Sequence, residues 1–194
     1  MDNTTISILI CVILLLWIVI TFNTIVSRFN RAQRAWGDVI AYERLKNDTL
    51  PQLAKLTEEY KEFESSLLNQ VTELRTAIQS LDDNKIDTRQ LAKVEQLSKS
   101  INEAVRVSVE NYPDLKAHTV VKQYMKEIAD KNTNVAAAIT LFNRAVEEFN
   151  NAIQYFPNSL INQFLTKRKA LDTFTDSQAE SGIEFKPVFS NRDD

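Results

Sequence analysis

The sequence predicts an all-α protein: an N-terminal transmembrane helix followed by an antiparallel up-down bundle of four long helices. Three observations lead there. Only two glycines and four prolines occur in 194 residues, and tight turns, bulges and phosphate-cradling loops rely on glycine to reach positive φ. No charged side chain stands between Asp2 and Arg28. From Phe22 onward, apolar residues recur at alternating spacings of three and four, the seam that one helix presents to another.

The first element is the uncharged stretch. Ile6 to Ile20 is apolar at every position but Ser7. Extended over Thr4 to Phe22 it makes about 19 residues, or roughly 28 Å of helix, enough for a bilayer core. Trp17 near its end suits the interface. A cleaved signal peptide is the competing reading, but that needs a basic n-region and a small-x-small cleavage site, and the sequence has neither. Lipoprotein processing at Cys11 would want a small residue where Ile10 stands. Arg28, Arg31 and Arg34 follow the span, and no basic side chain precedes it. The positive-inside rule then expects a single-pass protein with its N-terminus outside and its body in the cytoplasm. The one cysteine lies in the span, so the body has no internal disulfide, which fits a reducing compartment. The expected organisation is a membrane anchor over 1–22, a helical bundle over 23–171 and a tail over 172–194.

The bundle helices follow in order. A first stripe reads Phe22, Ile25, Phe29, Ala32, Trp36 and Val39, and fades at Glu43, Lys46 and Asn47. Asp48 or Thr49 before Leu50-Pro51 makes a helix start, since proline fits the first turn. The second stripe runs Leu53, Leu56, Tyr60, Phe63, Leu67, Gln70, Leu74, Ala77 and Leu81. After a turn at Asp82-Asp83-Asn84-Lys85, Asp87 with Gln90 resembles a capping box. The third stripe is Leu91, Val94, Leu97, Ile101, Val105 and Val109, closed by Tyr112-Pro113 because the residue before proline leaves helical geometry. The fourth runs from Val121 through Tyr124, Ile128, Asn132, Val135, Ile139, Phe142, Val146, Phe149 and Ile153 to Phe156, and Pro157 ends it. A short amphipathic piece from Leu160 to Leu171 follows. Helices over about 22–47, 50–82, 87–110 and 117–156 would alternate in direction. A three-helix alternative joins the first two into one helix kinked at Pro51, and heptad phase alone fits both.

Two pairs of Phe-Asn lie seven residues apart: Phe22-Asn23 with Phe29-Asn30, and Phe142-Asn143 with Phe149-Asn150. In an up-down bundle the start of the first helix meets the end of the fourth at the membrane. The rings would pack in the core, and the amides of Asn23, Asn30, Asn143 and Asn150 would bond across the seam and fix register. The competing reading is that each Asn is simply tolerated beside a core Phe. The same geometry brings Lys167, Arg168 and Lys169 to the membrane beside Arg28, Arg31 and Arg34. These six are candidates for lipid headgroups; otherwise they are a topology signal and an ordinary basic surface.

Composition argues against catalysis. One histidine and one cysteine leave no zinc set and no Glu-x-x-His pairs for a di-iron bundle. His118, four residues after Asp114, reads as a capping or surface residue. Glu58 with Glu62, and Arg144 with Glu148, read as solvated helix surface. No catalytic residue, metal or cofactor is expected, and no small-molecule substrate. The body carries all 23 basic residues and all but one of the 26 acidic ones, which is no footprint for nucleic acid.

These residues together resemble the LemA family. Phe22-Asn23, Ala35-Trp36, Thr49-Leu50-Pro51-Gln52-Leu53, Glu110-Asn111-Tyr112-Pro113-Asp114-Leu115-Lys116-Ala117, Phe142-Asn143 with Phe149-Asn150, Phe156-Pro157 and Pro187-Val188-Phe189 follow the family's motifs in order. The resemblance implies a helical bundle tethered to a bacterial cytoplasmic membrane and no activity. It also implies an acidic residue and an arginine in the last long helix, where this chain has Asn132 and Ile139. The expected function is a non-enzymatic scaffold that self-assembles or organises the membrane, with the bilayer and a homo-oligomer or a membrane protein as partners. The alternative is a single-pass adaptor or signalling subunit whose tail, Ile183 to Phe189, docks a partner.

Overall fold

The computed structural model describes residues 2–51, 65–111 and 119–174. Every regular element among them is helical: α1 (Asn3–Asn47), α2 (Ser65–Gln79), α3 (Thr88–Asn111), α4 (Thr119–Gln154) and a one-turn α5 (Asn158–Ile161) that runs into a π-helical turn (Asn162–Thr166). Leu53 to Phe63, Glu58 and Glu62, Tyr112 to His118, and Ile183 to Phe189 lie outside the described residues.

The apolar stretch and the first bundle helix are one helix. No glycine or proline precedes Gly37 in the chain, and α1 continues through that glycine to Asn47, about 67 Å in all. Its apolar section is not a core helix. Only 6% of the most apolar window is buried, and Ile8, Leu15 and Ile20 are each more than half exposed. Trp17 and Ile18 alone within Ile6–Ile20 are half-buried. The helix stops where Thr49 turns back on Lys46: its N–H and its hydroxyl both donate to the Lys46 carbonyl, at 3.1 and 2.7 Å. Helical backbone resumes at Leu50.

α4 lies antiparallel along α1. Phe149 meets Phe29 edge-on with ring centroids 5.4 Å apart, and Phe142 meets Trp36 at 5.3 Å. α2 and α3 form a hairpin, with Lys93 3.3 Å from Glu73 and Ser100 bonded to Gln70. The Asp87 carboxylate caps α3 by accepting from the N–H groups of Arg89 and Gln90. Asp82 accepts from the Asn84 N–H within the turn.

The hairpin turn docks on the middle of α1. Trp36 Nε1 donates to the Asp82 carbonyl at 3.0 Å, Arg44 to the Leu81 carbonyl at 3.2 Å, and Gln33 to the Asn84 carbonyl at 3.3 Å. Those donors sit on α1 at residues 33–44, so they set the level.

Three expectations are corrected by the packing. The first stripe does not fade after Val39: Ile40, Glu43 and Lys46 are all buried. Phe156 leaves the fourth stripe, because α4 ends at Gln154 and the chain turns at Tyr155–Pro157, which leaves the ring 80% exposed. The piece from Leu160 to Leu171 is helical only to Thr166. Lys167 takes a left-handed conformation, φ 49°, and the chain from there to Phe174 is non-helical. Phe174 is itself buried in the main core, so the body extends past residue 171.

Candidate functional site: a basic collar, a backbone clamp and a buried ion pair

The collar forms where α1 leaves the apolar stretch. Arg28 and Arg31, one turn apart, both reach Glu148 Oε2 on α4, at 2.7 and 3.0 Å. Arg144, one turn back on α4, comes within 3.5 Å of the other oxygen. Three guanidinium groups thus share one carboxylate, which is only 26% exposed, so Glu148 is a cross-helix anchor rather than plain solvated surface. The Arg168 guanidinium carbon lies over the Phe29 ring, 3.8 Å from its centroid, a cation–π contact. Arg34, Lys167 and Lys169 are exposed. The structure therefore brings Arg28, Arg31 and Arg168 to the base of the α1–α4 pair. The collar keeps a positive excess, since one acid meets three bases.

The four candidate asparagines separate into two groups. Asn23 and Asn30 on α1 are exposed. Asn150 Nδ2 donates to the Leu171 carbonyl at 2.9 Å, and its Oδ1 accepts from the Leu171 N–H at 2.9 Å. Asn143 does the same to Phe174, at 2.6 and 2.8 Å. The amides therefore grip the returning backbone and do not bond across the α1–α4 seam. A side-chain amide presents a donor and an acceptor side by side, as a peptide does, so each Asn satisfies both polar groups of one residue. The spacing also fits. Seven helical residues advance about 10.5 Å. Three residues of chain, from Leu171 to Phe174, cover that distance only when nearly fully extended. Leu171 and Phe174 then turn their side chains into the core.

Further up, Glu43 and Lys46 form an ion pair at 2.7 Å with both side chains at least 96% buried. They line a cleft of about 30 Å³, room for a water or two, together with Ser98, Asn132, Ile139 and Phe174. Asn132 and Ile139 are the positions where the family resemblance implies a charged pair, and here a charged pair from α1 faces them. The Ser98 hydroxyl and the Tyr124 hydroxyl are buried without a hydrogen-bond partner among the described residues. Burial pushes the Tyr124 hydroxyl up to about 12. The signal for the ion pair was in the spacing: Trp36, Val39, Glu43 and Lys46 continue the three-four alternation, with opposite charges one turn apart. Among the described residues, no three His, Cys, Asp or Glu side chains come together in a way that could hold a metal ion.

An apolar helix of membrane-spanning length that runs without a break into a helical body, with a basic collar at the junction, fits a membrane-anchored helical protein. The LemA family model matches residues 35–185, and the chain belongs to the LemA family. The match begins just before Trp36 and leaves the apolar stretch outside it. A relative, Protein LemA of Metamycoplasma hominis, is 27% identical over 143 residues. That alignment covers 74% of this chain and 64% of the relative.

Proposed function

We propose that the protein is a non-enzymatic membrane scaffold whose anchor stays in the bilayer and whose helical body assembles with further copies or organises the membrane beside it. The observation that carries this reading is the continuity of α1. One helix is both the apolar span and the spine against which α4 and the α2–α3 turn pack. Force on the body is therefore transmitted to the lipid without a hinge, which a scaffold needs and an enzyme domain on a flexible tether does not. The basic collar supports a body on the cytoplasmic side of a bacterial membrane, where anionic lipid headgroups attract arginine and lysine.

Full-length protein reconstituted into liposomes and imaged by electron cryomicroscopy tests the proposal. Ordered multi-copy assemblies or altered vesicle shape are expected. Discrete monomers on undisturbed vesicles would overturn it and favour an adaptor that docks a partner through its tail. Protease protection in spheroplasts tests the topology: a body digested from outside would overturn the cytoplasmic placement.

A further inference from the structure

The chain between α4 and the clamped segment makes a hook, and the hook is placed oddly for a water-soluble surface. Phe156, Phe164, Tyr155, Leu165 and Leu160 are 80%, 70%, 63%, 53% and 44% exposed. Five large side chains exposed over eleven residues form more apolar surface than scattered exposed residues on a soluble domain explain. Their location decides what covers them. Ile161, at the centre of the hook, is buried in a cluster with Ile25, Phe149 and Ile153, and Trp17 and Ile18 of the apolar stretch pack against that cluster. Trp17 lies eleven residues before Arg28, about 16 Å along the helix axis. The hook thus reaches past the collar and onto the apolar section of α1. Its exit is marked by charge: Lys167, Arg168 and Lys169 follow at once, and Arg168 is fixed on Phe29 at the collar. An apolar segment level with the end of a span, followed by a basic run level with the headgroups, has the layout of an interfacial membrane anchor.

We propose that residues 155–166 form a second membrane contact, a foot that inserts Phe156, Leu160, Phe164 and Leu165 into the leaflet from which the body projects. The occupant of this surface is lipid, because the patch is continuous with the span and bounded by basic residues. This rests on the anchored reading above and adds to it a fixed tilt: with two contacts instead of one, the body cannot lean freely about the point where α1 leaves the bilayer.

The lone cysteine makes the test direct. In full-length protein carrying Cys11→Ser, three single-cysteine variants, Phe164→Cys, Leu14→Cys and Thr76→Cys, are labelled with a fluorophore and placed in phosphatidylcholine–phosphatidylglycerol nanodiscs. Quenching by lipid-borne nitroxides is then read for each. Labels at 164 and 14 are expected to be quenched several-fold more than the label at 76, which sits on the exposed face of α2. Quenching at 14 without quenching at 164 overturns the foot and leaves the anchor standing. No quenching at 14 overturns both. Shielding at 164 that occurs only when several copies share a disc assigns the patch to a second copy and overturns the lipid contact. In the second arm the label is moved to Leu160→Cys and Phe164→Glu with Leu165→Glu is added. Lipid quenching is expected to fall several-fold while the helical circular dichroism is retained. Unchanged quenching would overturn the proposal.

Discussion

The lower and upper parts of the bundle are held by different chemistry. Near the collar, α1 and α4 meet through Phe29 and Phe149, and the polar groups of the clamped segment at Leu171 and Phe174 are matched, donor to acceptor, by Asn150 and Asn143. Farther up, the core contains a charged pair and hydroxyls that the described residues do not satisfy. The lower part resembles a core tuned for stability, since its clamped polar groups have their partners. The upper part keeps Glu43 and Lys46 where apolar residues of similar volume would pack as well or better. The contrast leaves the clamped polar groups nearest the apolar section of α1 paired and the upper part with chemistry that costs stability.

The largest test removes half of the ion pair. Lys46→Met leaves a buried carboxylate and should cost about 3–5 kcal/mol, whereas Glu43→Leu combined with Lys46→Met should return stability to the starting level or above it. Urea titration of detergent-solubilised protein reads both. If the double variant is as unstable as the single, the upper part is not the strained one.

Next in size is the alkaline response. The folded pKa of Tyr124, about 12, lies above its unfolded value of 10. Its contribution is whole below pH 10 and is lost as pH rises toward 12, about 2–3 kcal/mol in total. The urea midpoint should therefore drop between about pH 10 and about pH 12, and Tyr124→Phe should flatten that part of the curve.

The two groups of asparagines give a sharper, smaller contrast. Asn143→Ala or Asn150→Ala strands both backbone groups of one part-buried residue and should cost about 1–3 kcal/mol, with faster hydrogen exchange at Phe174 or Leu171. Asn23→Ala and Asn30→Ala should stay within about 0.5 kcal/mol. Effects at Asn143 and Asn150 as small as those at Asn23 and Asn30 would mean that the clamp carries no stability. Smaller than the clamp effect, and of opposite sign, is Gly37→Ala. A Cβ there meets nothing within 4 Å, so the gain should be about 0.5–1 kcal/mol from helix propensity, visible as a raised melting temperature.

Periodicity made most of the fold legible. Ile25, Ala32, Trp36, Val39, Leu67, Leu74, Leu91, Val94, Ile101, Tyr124, Phe142 and Phe149 were all readable as seam positions, and all are buried. What periodicity cannot carry is the level at which one helix meets another. That is set by single polar contacts such as Trp36 to Asp82, which leave no repeating mark. Charge was the second blind spot. Glu43 and Lys46 look like the end of a stripe because ionised side chains are seldom buried alone, yet as a pair one turn apart they can be. The asparagines were picked out by their seven-residue spacing, but their partner is backbone, and backbone bonding leaves no trace in the identity of Leu171 or Phe174.

The pairing of α1 with α4 also has a consequence for how the chain is made. Arg28 and Glu148 are 120 positions apart. At about 5–20 residues per second, the ribosome needs on the order of ten seconds to deliver the second after the first. Throughout that interval the nascent protein already holds its N-terminal helix but not Phe142, Phe149 and Ile153, so the apolar face of α1 around Ile25 and Phe29 waits uncovered until the last long helix is made.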